Sequence, residues 1–174
     1  MRFSTRRMVL IGVMAAICFV GTYLHVPLAV GGSTTMIHLG TTAIFIAAVL
    51  IGPDAGLSAG IGCALYDALD PTFAAWIIPT LIVKGLTGYV AGKISFMNNK
   101  NGENSIQNII GFIAGGIVSL IGYFIFNWLV FVGLASATIK LLASIGTTAL
   151  GLAIAIPLSI AIKKATTHII GAIN

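Results

Sequence analysis

An all-α integral membrane protein, six transmembrane helices in one domain over residues 1–174, is what this sequence predicts. Three observations predict it. The chain is 58% hydrophobic and 7% charged, with a mean hydropathy of +1.08. A soluble domain carries about 25% charged residues, and so few cannot cover a water-facing surface. Apolar runs recur near the roughly 20 residues that one bilayer crossing takes, leaving no room for a soluble domain. The cations cluster at run ends: Arg2, Arg6 and Arg7 before the first run, Lys93 and Lys100 about one loop, Lys163 and Lys164 after the last.

The net charge of +5 therefore reads as a topology signal, not as a nucleic-acid patch. With the N-terminus inside, all of those cations fall inside and the outer loops hold none, which predicts N-in and C-in. The N-terminus resembles a signal-peptide n-region, but no A-x-A-like site in a polar context follows, so the first helix is read as uncleaved. Cys18 and Cys63 lie in separate runs without C-x-x-C spacing and read as small packing residues.

The helices are expected at residues 6–26, 37–51, 54–69, 74–94, 106–132 and 137–163. "IGPDAG" supplies the turn between the second and third, with Asp54 able to cap the third. "SFMNNKNGENS" is the longest polar loop, and the Gly-rich residues 27–36 form an uncharged outer loop. No internal repeat emerges. The pairs Gly56/Gly60, Gly88/Gly92 and Gly12/Ala16 have the small-xxx-small spacing of close helix contacts.

Depth along each helix, at about 1.5 Å per residue, sorts the polar residues. Asp67, His38, Trp76, Tyr123, Asn127, Trp128, Lys140 and Ser144 fall in the outer half, and Lys84 lies near the midplane. Thr147 and Thr148 follow Ser144 at helical spacing. Polar groups confined to one half predict an outward-facing ligand cavity, because a pore needs polar lining throughout. A charge at the bilayer centre costs at least about 2.5–3.5 kcal/mol, so Lys84 needs a partner or water, and Asp67 is the nearest acid by depth. Each residue also has a plainer role: Asp67 pairing with Lys84, Lys140 snorkelling, Asn127 bridging helices, Trp76 and Trp128 anchoring at the interface, His38 bonding the loop.

"GYVAGKI" fails as a phosphate loop, since Thr87 stands where a glycine is required and Ile94 follows Lys93. "GLSAGIGCAL" follows no strand, so it is not a dinucleotide fingerprint. No catalytic arrangement, metal-ligand spacing or cofactor motif is present.

"MIHLGTTAIFIAAVLIGPDAGLSAGIGCALYDAL" followed by "WIIPTLIVKGLTGYVAGKI" resembles the substrate-binding S components of energy-coupling factor (ECF) vitamin transporters. The closest branch holds riboflavin-like, hydroxymethylpyrimidine and pyridoxine transporters. The shared pattern is His38–Gly40, Gly52–Pro53, Asp67 and Lys84–Gly85; Thr41 and Thr87 stand where acids are often found. The resemblance implies a multi-pass subunit of the bacterial plasma membrane, in contact with lipid. It implies no enzyme activity, but a vitamin bound from outside and docking on a membrane coupling subunit that sits on two ATPases. Docking is implied at small residues of the first helix, here Gly12, Ala15 and Ala16. A ring-lined pocket suits an aromatic heterocycle bearing hydroxyls, so pyridoxine or hydroxymethylpyrimidine leads, with riboflavin or pantothenate next. A small membrane enzyme and a pore-forming oligomer are the competing readings.

Overall fold

The computed structural model describes residues 4–30 and 33–171; Arg2, expected among the inner cations, lies outside them. Helix α1 (Thr5–Tyr23) opens on Ser4, whose hydroxyl accepts the Arg7 N–H at 3.3 Å. The chain then departs from the all-α expectation. Strand β1 (His25–Val30) pairs antiparallel with β2 (Ser33–His38), in a register running from His25↔His38 to Val30↔Ser33. The expected loop is a hairpin, and His38 ends a strand rather than starting a helix. The cause is legible afterwards: two runs carrying β-branched residues flank a Gly-Gly pair, which is a hairpin signal.

Helix α2 (Gly40–Ile51) is buried from Gly40 through Val49. A helix apolar on every side belongs at the centre of a bundle, and α1, α3, α4 and α6 pack around this one. Gly52, at φ +61°, ends it, and a 3-10 turn (Gly52–Asp54) leads into α3 (Ala55–Leu69). Asp54 does not cap α3 as expected; its carboxylate pairs with the Arg7 guanidinium instead. A 3-10 turn (Ala74–Trp76) precedes α4 (Ile77–Ser95), with Pro79 in the first turn, where no intrahelical N–H is needed. Helix α5 (Ser105–Phe126), capped by Asn104, ends in a π turn (Asn127–Phe131), and α6 (Gly133–Gly171) overruns the expected helix at both ends.

By length and apolarity, five helical segments among the described residues can cross a membrane: Thr5–Tyr23, Gly40–Leu69, Ala74–Ser95, Ser105–Phe131 and Gly133–Ala165. This is a multi-pass membrane protein. Five segments meet the measure rather than the expected six, because α2 and α3 fall in one of them. Their separate rises, about 18 and 22 Å, are each shorter than the roughly 30 Å hydrocarbon core.

Arg7 meets Asp54 at one end of the bundle, while Thr22 donates to the Cys63 sulfur at 3.3 Å near the other. So α1 and α3 run parallel, and the bundle has a basic end and a hairpin end. Phe45 stacks on Phe112 in the apolar core, with centroids 4.8 Å apart and planes at 18°. The glycine pairs act as the spacing predicts. A Cβ on Gly88 would sit 2.5 Å from the Ala55 carbonyl oxygen, and one on Gly92 would strike the Gly52 carbonyl. Gly12 has nothing within 4 Å of such a position. Gly92→Ala should therefore cost about 1–3 kcal/mol, the range for overpacking, and lower the melting temperature in detergent. Gly12→Ala should melt within a degree or two of the parent; equal melting of both variants would refute the contact between α4 and the Gly52 turn.

Candidate functional site

The helices set their polar residues on one face by steps of four: Cys63 and Asp67 on α3, Thr80 and Lys84 on α4, Ser119 and Tyr123 on α5 with Asn127 opening the π turn, Lys140 and Ser144 on α6. These faces converge beneath the hairpin on one cavity, whose unfilled space, mouth included, is about 740 Å³. Thr34, Thr35, Met36 and His38 line it from the hairpin, and Phe73 and Trp76 from the turn before α4. Toward the basic end lies the apolar Phe45–Phe112 core.

Of the residues singled out in the sequence, His38, Asp67, Trp76, Lys84, Tyr123, Asn127, Lys140 and Ser144 line this cavity. Trp128 does not. It is 44% exposed and packs on Phe124, centroids 6.2 Å apart. Adjacent helical residues point about 100° apart, so Trp128 cannot share the face of Asn127. The lining residues not anticipated include Thr22, Cys63, Thr80 and Ser119. The last three lie four residues before Asp67, Lys84 and Tyr123, so the same stride would have found them.

The expected Asp67–Lys84 ion pair is absent. Among the described residues, ion pairs join Arg7 to Asp54 and Lys163 to Glu103. Lys84, 3% exposed, donates to the Thr41 hydroxyl at 3.3 Å and lies 5.2 Å from the centroid of the Tyr123 ring. That ring's hydroxyl donates to Thr80 at 3.2 Å. Lys140, 4% exposed, stands 5.8 Å from the Trp76 centroid, and Trp76 stacks on Phe131 at 4.1 Å. An aromatic face attracts a cation but supplies no hydrogen-bond acceptor.

Two buried acceptors of the cavity wall lack partners among the described residues. Asp67 Oδ2 has none, and Asn127 donates from Nδ2 to the Tyr123 carbonyl at 2.8 Å while its Oδ1 has none. A buried polar atom without a partner costs about 1–3 kcal/mol, which a donor entering the cavity would recover. The π turn that begins at Asn127 holds this residue at the cavity wall, with Val132 N–H bonding back to its carbonyl at 2.9 Å.

His38 lies in the hairpin, outside the spanning helices. Its Nδ1 accepts the Gly40 N–H at 3.0 Å, which puts the neutral ring's proton on Nε2. Burial first, then the charges of Lys84 and His25, hold its pKa well below the usual 6.5. The hairpin's root is tied down by Tyr66, whose hydroxyl donates to Asp70 at 2.9 Å and meets His25 Nδ1 at 3.2 Å. Among the described residues, no group of three His, Cys, Asp or Glu side chains could hold a metal ion.

A bundle of long apolar helices with a polar cavity at its hairpin end defines a multi-pass membrane protein. The chain belongs to the family of ECF-type riboflavin transporter S components, whose model matches residues 2–165. It is also similar to an uncharacterized protein of Pyrococcus woesei, 32% identical over 103 residues, which span 59% of this chain and 66% of that protein.

Because the folded His38 resists protonation, the unfolded chain takes up this proton first as pH falls through about 6.5. Stability is then complete above that pH and declines below it, toward the lower folded pKa. His38→Asn, which keeps an acceptor for Gly40, should remove up to about 2 kcal/mol of the parent's loss between pH 7 and pH 5, at 1.36 kcal/mol per pH unit. Thermal melts of both proteins at the two pH values measure it, and parallel losses would contradict it.

Proposed function

We propose that this chain is the substrate-specificity subunit of an ECF importer. It binds a vitamin-class solute from outside and passes it, with ATP spent by partner subunits, across the cell membrane. The observation that carries this reading is the cavity at the hairpin end, walled by Lys84, Lys140, Asp67 and Asn127 and closed by apolar core toward the basic end. Six spans with both termini inside, as the basic end favours, turn the cavity mouth outward. Trp76 and Tyr123 offer ring faces, and Asp67 and Asn127 offer acceptors, to a solute bearing rings or hydroxyls. Pyridoxine or hydroxymethylpyrimidine fits the rings; riboflavin, for which the family is named, and pantothenate are the alternatives.

The energy comes from a membrane coupling subunit and two ATPases. Gly12 and Ala16 face outward from α1, while the Ala15 carbonyl lies against Gly62 of α3 and is less open to a partner. Small residues let a partner helix approach the backbone. Purification of the tagged chain with a coupling subunit and an ATPase pair, followed by ATP-dependent uptake in vesicles, tests the reading; uptake by this chain alone would reject it. Ala16→Leu should abolish uptake by the full complex while leaving solute affinity of the isolated chain within twofold. Asn127→Ala should weaken that affinity by about 1 kcal/mol or more, as read by calorimetry.

A further inference from the structure

We infer that the solute is an organic acid whose carboxylate is held by Lys140, and whose hydroxyl or N–H groups meet Asp67 and Asn127. The inference rests on the reading that the cavity is the solute site and narrows the class of solute. Two lysines face the cavity, both nearly fully buried, and the cavity's acid is Asp67 alone. Neither lysine is ion-paired among the described residues. Lys84 has one neutral acceptor, Thr41, for the three donors of its ammonium. Lys140 has no hydrogen-bond acceptor among the described residues and faces the Trp76 ring.

A cation withdrawn from water is held at a net cost unless a countercharge or several acceptors surround it. Here the wall supplies one carboxylate for two ammonium groups. His38 is neutral and presents a donor, so it adds a further group that favours an acceptor on the ligand. An entering carboxylate balances the charges and gives the Lys140 ammonium charge-assisted bonds, the strong kind. The solute also needs donors, because Asp67 Oδ2 and Asn127 Oδ1 wait unpaired. A hydroxylated acid satisfies both demands. A neutral heterocycle satisfies only the second, and a cation such as an aminium heterocycle opposes the first.

The test uses matched pairs in which a carboxylate replaces a hydroxymethyl group: pantothenate against pantothenol, and 4-pyridoxate against pyridoxine. The full chain in phosphatidylcholine nanodiscs is titrated with each by calorimetry. In at least one pair the acid should bind tenfold or more tightly than the alcohol. Lys140→Met should remove that preference, and Lys140→Arg, which keeps the charge, should retain it. Equal or tighter binding of the alcohols, no measurable binding by any of the four, or a preference untouched by Lys140→Met overturns the inference. The importer reading survives each of those outcomes, since it stands on co-purification and ATP-dependent uptake.

Discussion

The central helix is too short, and much of the structure follows from that. Helix α2 has 12 residues, so it rises about 18 Å where the hydrocarbon core is roughly 30 Å. It is enclosed on all sides, so its neighbours continue past its first residue, Gly40, into space that α2 does not fill. The hairpin caps that space and the cavity occupies it. The polar faces of α3, α4, α5 and α6 can point inward there because no apolar central helix opposes them. Lower down, where α2 is present, the same helices meet Phe45, Val49 and their neighbours in an apolar cluster.

Within that hollow the side chains are arranged for something other than mutual satisfaction. A bundle selected only for stability would join Asp67 to Lys84, since an isolated buried charge is costly. Instead Lys84 takes a neutral hydroxyl and the Tyr123 ring, Lys140 takes the Trp76 ring, and Asp67 keeps one oxygen unpaired. Such arrangements are found where strain and unmet bonding serve binding. The ion pairs that are closed, Arg7–Asp54 and Lys163–Glu103, lie at the basic end, away from the cavity.

Membrane class, the helix order and most of the cavity wall could be read from the sequence, because hydropathy and the four-residue stride are direct consequences of lipid and of helix geometry. Depth along the helices singles out Asp67, Lys84, Tyr123, Asn127 and Lys140, and all line one cavity. Charge and glycine content mark residues 27–36 as a loop and say nothing of strand pairing, which also takes in Ile37 and His38. Depth without rotation about the helix axis puts Trp128 beside Asn127, whereas neighbouring residues point about 100° apart. Depth likewise sets Asp67 beside Lys84 but does not decide which acceptor the ammonium reaches, and that acceptor is Thr41.

Helices α3 and α4 touch through backbone, with Gly56 and Gly60 against the Gly85 and Leu81 carbonyls and Gly88 against Ala55. Sliding either helix by one residue would drive a side chain into a carbonyl, so the two behave as a single rigid plank. Asp67 and Lys84 ride on that plank and keep a fixed separation whatever the cavity holds.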